Sequence, residues 1–270
     1  MASNRRALVT GASAGIGEAF ARELARRGHD LVLTARRADR LEALAKELRE
    51  RHAIEAIVAP LDLGRADGPE ALVAALEAQG LSIDVLVNNA GYGVPGYFED
   101  QPWSTHAAFI QVLMTAPSEL VYRLLPAMKA RGYGRILNIA SLAGHVPGSA
   151  GHTLYAASKA YLIKFSQSLA LECAGTGVHV TAVCPGFTRS EFHDVTGSRE
   201  LVSKMPDFMW MDAPTVARQG LEAVEAGKAV YVNGRVNNAI KGLFRLLPDA
   251  LALRMVARQG RRFRTGPRQG

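Results

Sequence analysis

Seven short runs rich in β-branched residues alternate with longer stretches of helical spacing, and this alternation restricts the fold more than any other feature of the 270-residue chain. The runs lie at 5–10, 31–35, 54–62, 84–89, 135–141, 179–186 and 229–233. They are almost continuously apolar, as strands covered on both faces are. The stretches between them, such as "RLEALAKELRERH" and "THAAFIQVLMTAPSELVYRLLPAMKARG", repeat apolar residues at helical intervals, and several end in glycine. The pattern predicts one α/β domain, a doubly wound parallel sheet of about seven strands with helices on both faces.

Residues 1–234 are read as that domain and residues 235–270 as a C-terminal extension. The net charge of +7 resides in the extension, which holds nine Lys/Arg and one acid, against 23 basic and 24 acidic residues before it. The body therefore offers no basic face for nucleic acid. The extension combines an apolar helical pattern with arginines, which suits an anionic membrane surface. It equally suits packing on the body or on another subunit. Pro248 breaks the pattern into short pieces and favours packing. Cys173 and Cys184 are too few for a disulfide framework and sit in apolar runs, as core cysteines do. The seven histidines form no helical pair or carboxylate cluster of metal-ligand spacing, so no metal is expected. With no signal-peptide pattern and no apolar run long enough to span a bilayer, a cytoplasmic location is expected.

"VTGASAGIGEAF" places Gly11, Gly15 and Gly17, with Ile16 between the last two, at the first strand-to-helix turn. Such glycines allow a tight turn, close approach of a pyrophosphate and close helix-to-sheet packing, with the helix N-terminus facing the negative charge. The spacing is not the commoner G-x-G-x-x-G, but with a strand before and a helix after it predicts a Rossmann-type dinucleotide site rather than a plain structural turn. At the end of the second strand, where an NAD site carries an acid for the ribose 2′-hydroxyl, stand Ala35, Arg36 and Arg37. An arginine grips a 2′-phosphate bidentately, so NADP(H) is the expected cofactor. Arg36 is expected as its main contact and Ser13 as a second.

Two further signals complete the pattern. "YAASK" sets Tyr155 and Lys159 one helical turn apart on one face, and Ser141 ends the fifth strand. Together with "TGASAGIG", "NNAG" at 88–91 and "PG" at 185–186, these residues resemble the short-chain dehydrogenase/reductase family over about residues 5 to 233. The resemblance implies a carbonyl reductase or alcohol dehydrogenase, with Tyr155 as general acid/base, Ser141 bonding the substrate oxygen, and Lys159 holding the nicotinamide ribose. A free phenol ionises near ~10, and the Lys159 charge is expected to lower that value. By the same resemblance Asp62 and Leu63 contact adenine. Asn89, Ala90 and Gly91 line the adenine ribose and the approach to the nicotinamide. Pro185, Gly186 and Thr188 hold the carboxamide. A homo-oligomer paired through the two long helices is also implied.

The chain departs from the family at Leu113, where an asparagine that serves the proton relay is usual. That departure keeps open a second reading, a nucleotide-binding regulatory or scaffold protein with weak or no turnover. Between Thr188 and residue 213 a long segment carries Phe192, Phe208 and Trp210, with Phe187 just before it. These residues either form a lid around a bulky apolar carbonyl or alcohol substrate, or only pack the lid onto the body.

Overall fold

The computed structural model describes residues 5–151, 153–191 and 205–260. Seven parallel strands form one sheet: β1 (Arg6–Thr10), β2 (Asp30–Thr34), β3 (Ala56–Val58), β4 (Val85–Asn88), β5 (Gly134–Ile139), β6 (Val178–Cys184) and β9 (Val230–Val232). The strand order is β3-β2-β1-β4-β5-β6-β9. The chain therefore switches direction across the sheet between β1 and β4, and the crevice at their carboxyl ends is the ligand position of such folds.

The strands alternate their side chains between two cores. Ala7 and Val9 of β1, with Val85 and Val87 of β4, face α1 (Gly15–Arg26), α2 (Ala38–His52) and α7 (Ala213–Glu225). Leu8 and Leu86 face α3 (Gly68–Ala78), α5 (Ala116–Ala130) and α6 (Thr153–Glu172). Both faces are covered, which is why the runs read as continuously apolar rather than alternating.

Three elements differ from the sequence expectation. The third strand is three residues rather than 54–62, although the N–H groups of Ala59 and Leu61 still donate to the carbonyls of Leu33 at 2.9 Å and Ala35 at 3.1 Å beyond its end. The long helix expected from residue 105 is α4 (Trp103–Ile110), a π-turn at Gln111–Thr115, and α5. Pro117 cannot donate to the carbonyl of Leu113, so the ladder slips by one residue there. A two-stranded parallel ribbon, β7 (Thr188–Arg189) with β8 (Met211–Asp212), was not anticipated. It ties both ends of the segment after β6 to each other.

The extension forms α8 (Arg235–Leu246) and α9 (Asp249–Gly260). The start of α8 is held against the body. Asn237 is buried, and its Nδ2 donates to the Asn233 carbonyl at 2.7 Å, while Asn238 Nδ2 donates to the Val232 carbonyl at 2.8 Å. Among the described residues no helix is long and apolar enough to cross a membrane.

Candidate active site

The glycine turn is built for close approach. Gly11 and Gly15 adopt φ of +66° and +60°, in the left-handed region that favours glycine. A Cβ on Gly11 would stand 2.9 Å from the Ala90 Cα, and one on Gly17 would overlap the Gly11 carbonyl oxygen and the Asn89 amide. The ends of β1 and β4 are laced together at this point. Thr10 Oγ1 accepts from the backbone N–H groups of Asn89 at 2.9 Å and Ala90 at 3.0 Å. Asn89 Nδ2 donates to the carbonyls of Thr10 at 3.0 Å and Gly11 at 3.2 Å. Asn89 is thus a brace for the turn. Ala14 caps α1 without any side-chain bond, which leaves the first-turn N–H groups of α1 facing the crevice. Ile16 is anchored against the first core.

Of the two arginines after β2, Arg37 is the one that closes on the turn. Its Nε and Nη2 donate to Ser13 Oγ at 3.2 and 3.0 Å, a fork beside the phosphate turn. Burial raises the pKa of the Tyr92 phenol, on which the charges of Arg36 and Asp62 also bear in opposite directions. Asp62 is exposed and accepts from the Gly64 N–H at 2.9 Å, Leu63 is buried beside it, and Gly91 lies open next to Leu113. These residues fit a dinucleotide: a turn that excludes side chains, a free helix N-terminus and a guanidinium fork, with no acid at position 35.

At the end of β5, Ser141 caps a 3₁₀ turn, its Oγ accepting from the Ala143 N–H at 3.1 Å. The Ser141 hydroxyl lies close enough to the Tyr155 phenol to act on its ionisation. Lys159, one turn further along α6, is buried and donates from Nζ to the Ile139 carbonyl at 2.8 Å. Its Nζ lies 5.5 Å from the centre of the Tyr155 ring. The three residues named in the sequence are therefore brought together. The expected lowering of the Tyr155 pKa is not found. Burial pushes it up to about 12, the nearby Ser141 hydroxyl opposing that shift. The accessible surface leaves part of the Tyr155 side chain open, but its hydroxyl lies deep. Burial also pulls Lys159 down to about 8. Spacing alone did not show that the ammonium is spent on the Ile139 carbonyl rather than on the phenol.

Behind Lys159, Leu113 is buried in the π-turn and lines a small cavity with Asn88, Pro117, Ile139 and Lys159. Pro185, Gly186 and Thr188 follow β6; Pro185 accepts from the Leu142 N–H at 2.9 Å, and Thr188 donates to the Gly186 carbonyl at 3.2 Å. A Cβ on Gly186 would strike the buried Asn237 side chain, so the extension walls this part of the site. Phe187 and Trp210 meet with ring centres 5.7 Å apart, whereas Phe208 points to solvent. Phe192 lies outside the described residues.

The sequence reading missed one wall. A cleft beside Tyr155 is lined by Tyr97, Phe98, His106, Phe109 and Leu154. Phe98 stacks on His106 at 4.5 Å, and Tyr92 meets Phe109 edge-on. The aromatic run "GYFEDQPW" was the available signal, but it has no periodicity to mark it. Ser190 was also missed: its Cβ stands 3.0 Å from where a Cβ on Gly15 would lie. Among the described residues no group of three or more His, Cys, Asp or Glu could hold a metal ion.

Comparison with known proteins agrees with this arrangement. The family model described as short chain dehydrogenase matches residues 5–200. The chain is 37% identical over 247 residues to nodulation protein G of Rhizobium sp. (strain N33), covering 89% of this chain and 97% of that one. It is 34% identical over 264 residues to the very-long-chain 3-oxoacyl-CoA reductase of Anas platyrhynchos, covering 96% of this chain and 80% of that one. A solved short-chain dehydrogenase from Sphingobium yanoikuyae in complex with NADPH superimposes with a TM-score of 0.78 at 32% identity, covering 91% of this chain and 97% of that one. The chain belongs to the short-chain dehydrogenase/reductase family, and with it to the oxidoreductases.

Proposed function

We propose that this protein is an NADP(H)-dependent oxidoreductase that interconverts a bulky apolar carbonyl compound and its secondary alcohol. The observation that carries the reading is the convergence of Tyr155 and Ser141 beside buried Lys159, at the carboxyl end of the sheet and next to the glycine turn.

When bound, the nicotinamide supplies or accepts the hydride. Gly11, Gly15 and Gly17, with the N–H groups of α1, would hold its pyrophosphate. Ser13, Arg36 and Arg37 would hold a 2′-phosphate. Asp62, Leu63, Asn89, Ala90 and Gly91 would line the adenosine side, and Pro185, Gly186 and Thr188 the carboxamide side. Lys159 would bond the nicotinamide ribose. The Tyr155 hydroxyl, kept protonated by its burial, donates its proton to the carbonyl oxygen as negative charge develops there; in the reverse direction its phenolate takes the alcohol proton. Ser141 bonds the same oxygen and shares that charge. The aromatic cleft of Tyr97, Phe98 and Phe109 supports an apolar substrate, as does the likeness to an enzyme named for very-long-chain substrates.

The reading extends to a cytoplasmic homo-oligomer. Exposed Tyr122 on α5 and Leu171 on α6, together with the free buried thiols of Cys173 and Cys184, support it. Leu113 favours the alternative of a regulatory nucleotide-binding protein. A panel of ketones graded from small and polar to large and apolar, assayed with NADPH and with NADH, separates these readings. Turnover is expected with NADPH and the larger apolar ketones. NADPH binding without turnover on any ketone would favour the alternative, and faster turnover of small polar ketones would refute the apolar assignment.

A further inference from the structure

We propose that Glu191 weakens the protein's preference for 2′-phosphorylated dinucleotides, by holding its carboxylate on Arg37, one of the arginines that would take that phosphate. The proposal rests on the NADP(H) reading above. Arg37 Nη1 donates to one Glu191 oxygen at 3.1 Å, and Arg40 Nη1 donates to the other at 2.7 Å. The remaining donors of Arg37, Nε and Nη2, are on Ser13 Oγ. The whole fork is thus closed by a hydroxyl and a carboxylate, the groups beside which a phosphate monoester would have to settle. The two arginines hold the Glu191 carboxyl below its ordinary range, so it stands there ionised at neutral pH.

The carboxylate is placed by the fold. The β7–β8 ribbon fixes Thr188 and Arg189, and Ser190 then lies against the glycine turn at Gly15. That route delivers Glu191 to the loop after β2, more than 150 positions away in sequence. Arg40, in the first turn of α2, was not among the residues expected from the sequence, and it supplies the second cation.

The consequence is a difference between two classes of ligand. A 2′-phosphate brings negative charge to Arg37 and Ser13, where it meets the Glu191 carboxylate; either that ion pair breaks or the like charges repel. A nucleotide without the phosphate brings no charge there and leaves both pairs intact. Glu191 therefore penalises the phosphorylated ligand alone. The side chains are about half exposed, so the effect is modest and screened by salt.

The test is calorimetric titration of the full chain and its Glu191→Gln variant with 2′,5′-ADP and with 5′-AMP, at low and high ionic strength. The variant is expected to bind 2′,5′-ADP roughly two- to fivefold more tightly than the wild type at low salt. Binding of 5′-AMP is expected to be unchanged, and the gain to shrink at high salt. If the wild type prefers 2′,5′-ADP but the variant binds it equally or more weakly, Glu191 props Arg37 rather than opposing the ligand, and the proposal is overturned. If neither protein distinguishes the two nucleotides, the NADP(H) reading itself falls and takes the proposal with it.

Discussion

Gly17→Ala is the substitution that most sharply tests how the glycine turn works. Gly17 lies in the first turn of α1, where alanine would ordinarily stabilise a helix by about 1 kcal/mol. Here the added methyl would overlap the Gly11 carbonyl oxygen and the Asn89 side-chain amide. Relief requires shifting the Gly11 carbonyl and moving Asn89, which breaks the bonds of Asn89 to the carbonyls of Thr10 and Gly11. Two lost hydrogen bonds cost about 2 kcal/mol, and overpacking costs about 1–3 kcal/mol more. Set against the helix gain, the net loss is about 2–4 kcal/mol, or a fall in Tm of roughly 5–15 °C for a chain of this size. Gly242→Ala in α8 is the control, since nothing lies within 4 Å of its added methyl. That variant is expected to melt at the same temperature or slightly higher. Differential scanning fluorimetry reads both, and NADPH titration of Gly17→Ala is expected to show at least tenfold weaker binding. A Gly17→Ala protein that melts no lower than wild type and binds NADPH normally would refute the account of the turn.

Burial holds Lys159 at about 8, so it is charged below that pH and neutral above it. Carbonyl reduction is therefore expected to be steady below about pH 8 and to fall about tenfold per unit above it. Lys159→Arg should move the falling limb upward, because a guanidinium stays charged; an unmoved limb would assign it to another group. Gly186→Ala should drive its methyl into Asn237, lower Tm and speed proteolysis within α8, and the double variant with Asn237→Ala should recover. Failure of that rescue would show that the contact is unimportant. Leu113→Asn should lose roughly 1.5–3 kcal/mol of apolar burial while raising kcat, with Asn88 Oδ1, unpartnered at the same cavity, available to accept from the new amide. An unchanged kcat would show that the leucine costs no rate.

The sheet was legible in the sequence because strands covered on both faces must be apolar throughout, a pattern independent of distant contacts. The glycine turn and the placing of Tyr155 and Lys159 one turn apart on a helix were legible for a similar reason, since each lies within one short local segment. What stayed hidden depends on partners far along the chain. The approach of Arg37 and Arg40 to Glu191, and of Gly186 to Asn237, is set by tertiary packing. The π-turn follows from Pro117, but only the folded chain shows that the ladder slips instead of stopping. The aromatic wall of Tyr97, Phe98 and Phe109 comes from a loop without periodicity. The pKa of Tyr155 was expected in the wrong direction, because spacing places the lysine on the same face yet says nothing of burial or of the Ile139 carbonyl.

The proton donor is the centre of the account, and steady-state NADPH consumption with a bulky apolar ketone, wild type against Tyr155→Phe, tests it most directly. Loss of the hydroxyl should lower kcat by at least about 100-fold, the scale of positioned proton transfer, while NADPH binding and Tm stay close to wild type. A Tyr155→Phe protein that retains full turnover would contradict the assignment of Tyr155 as the proton donor.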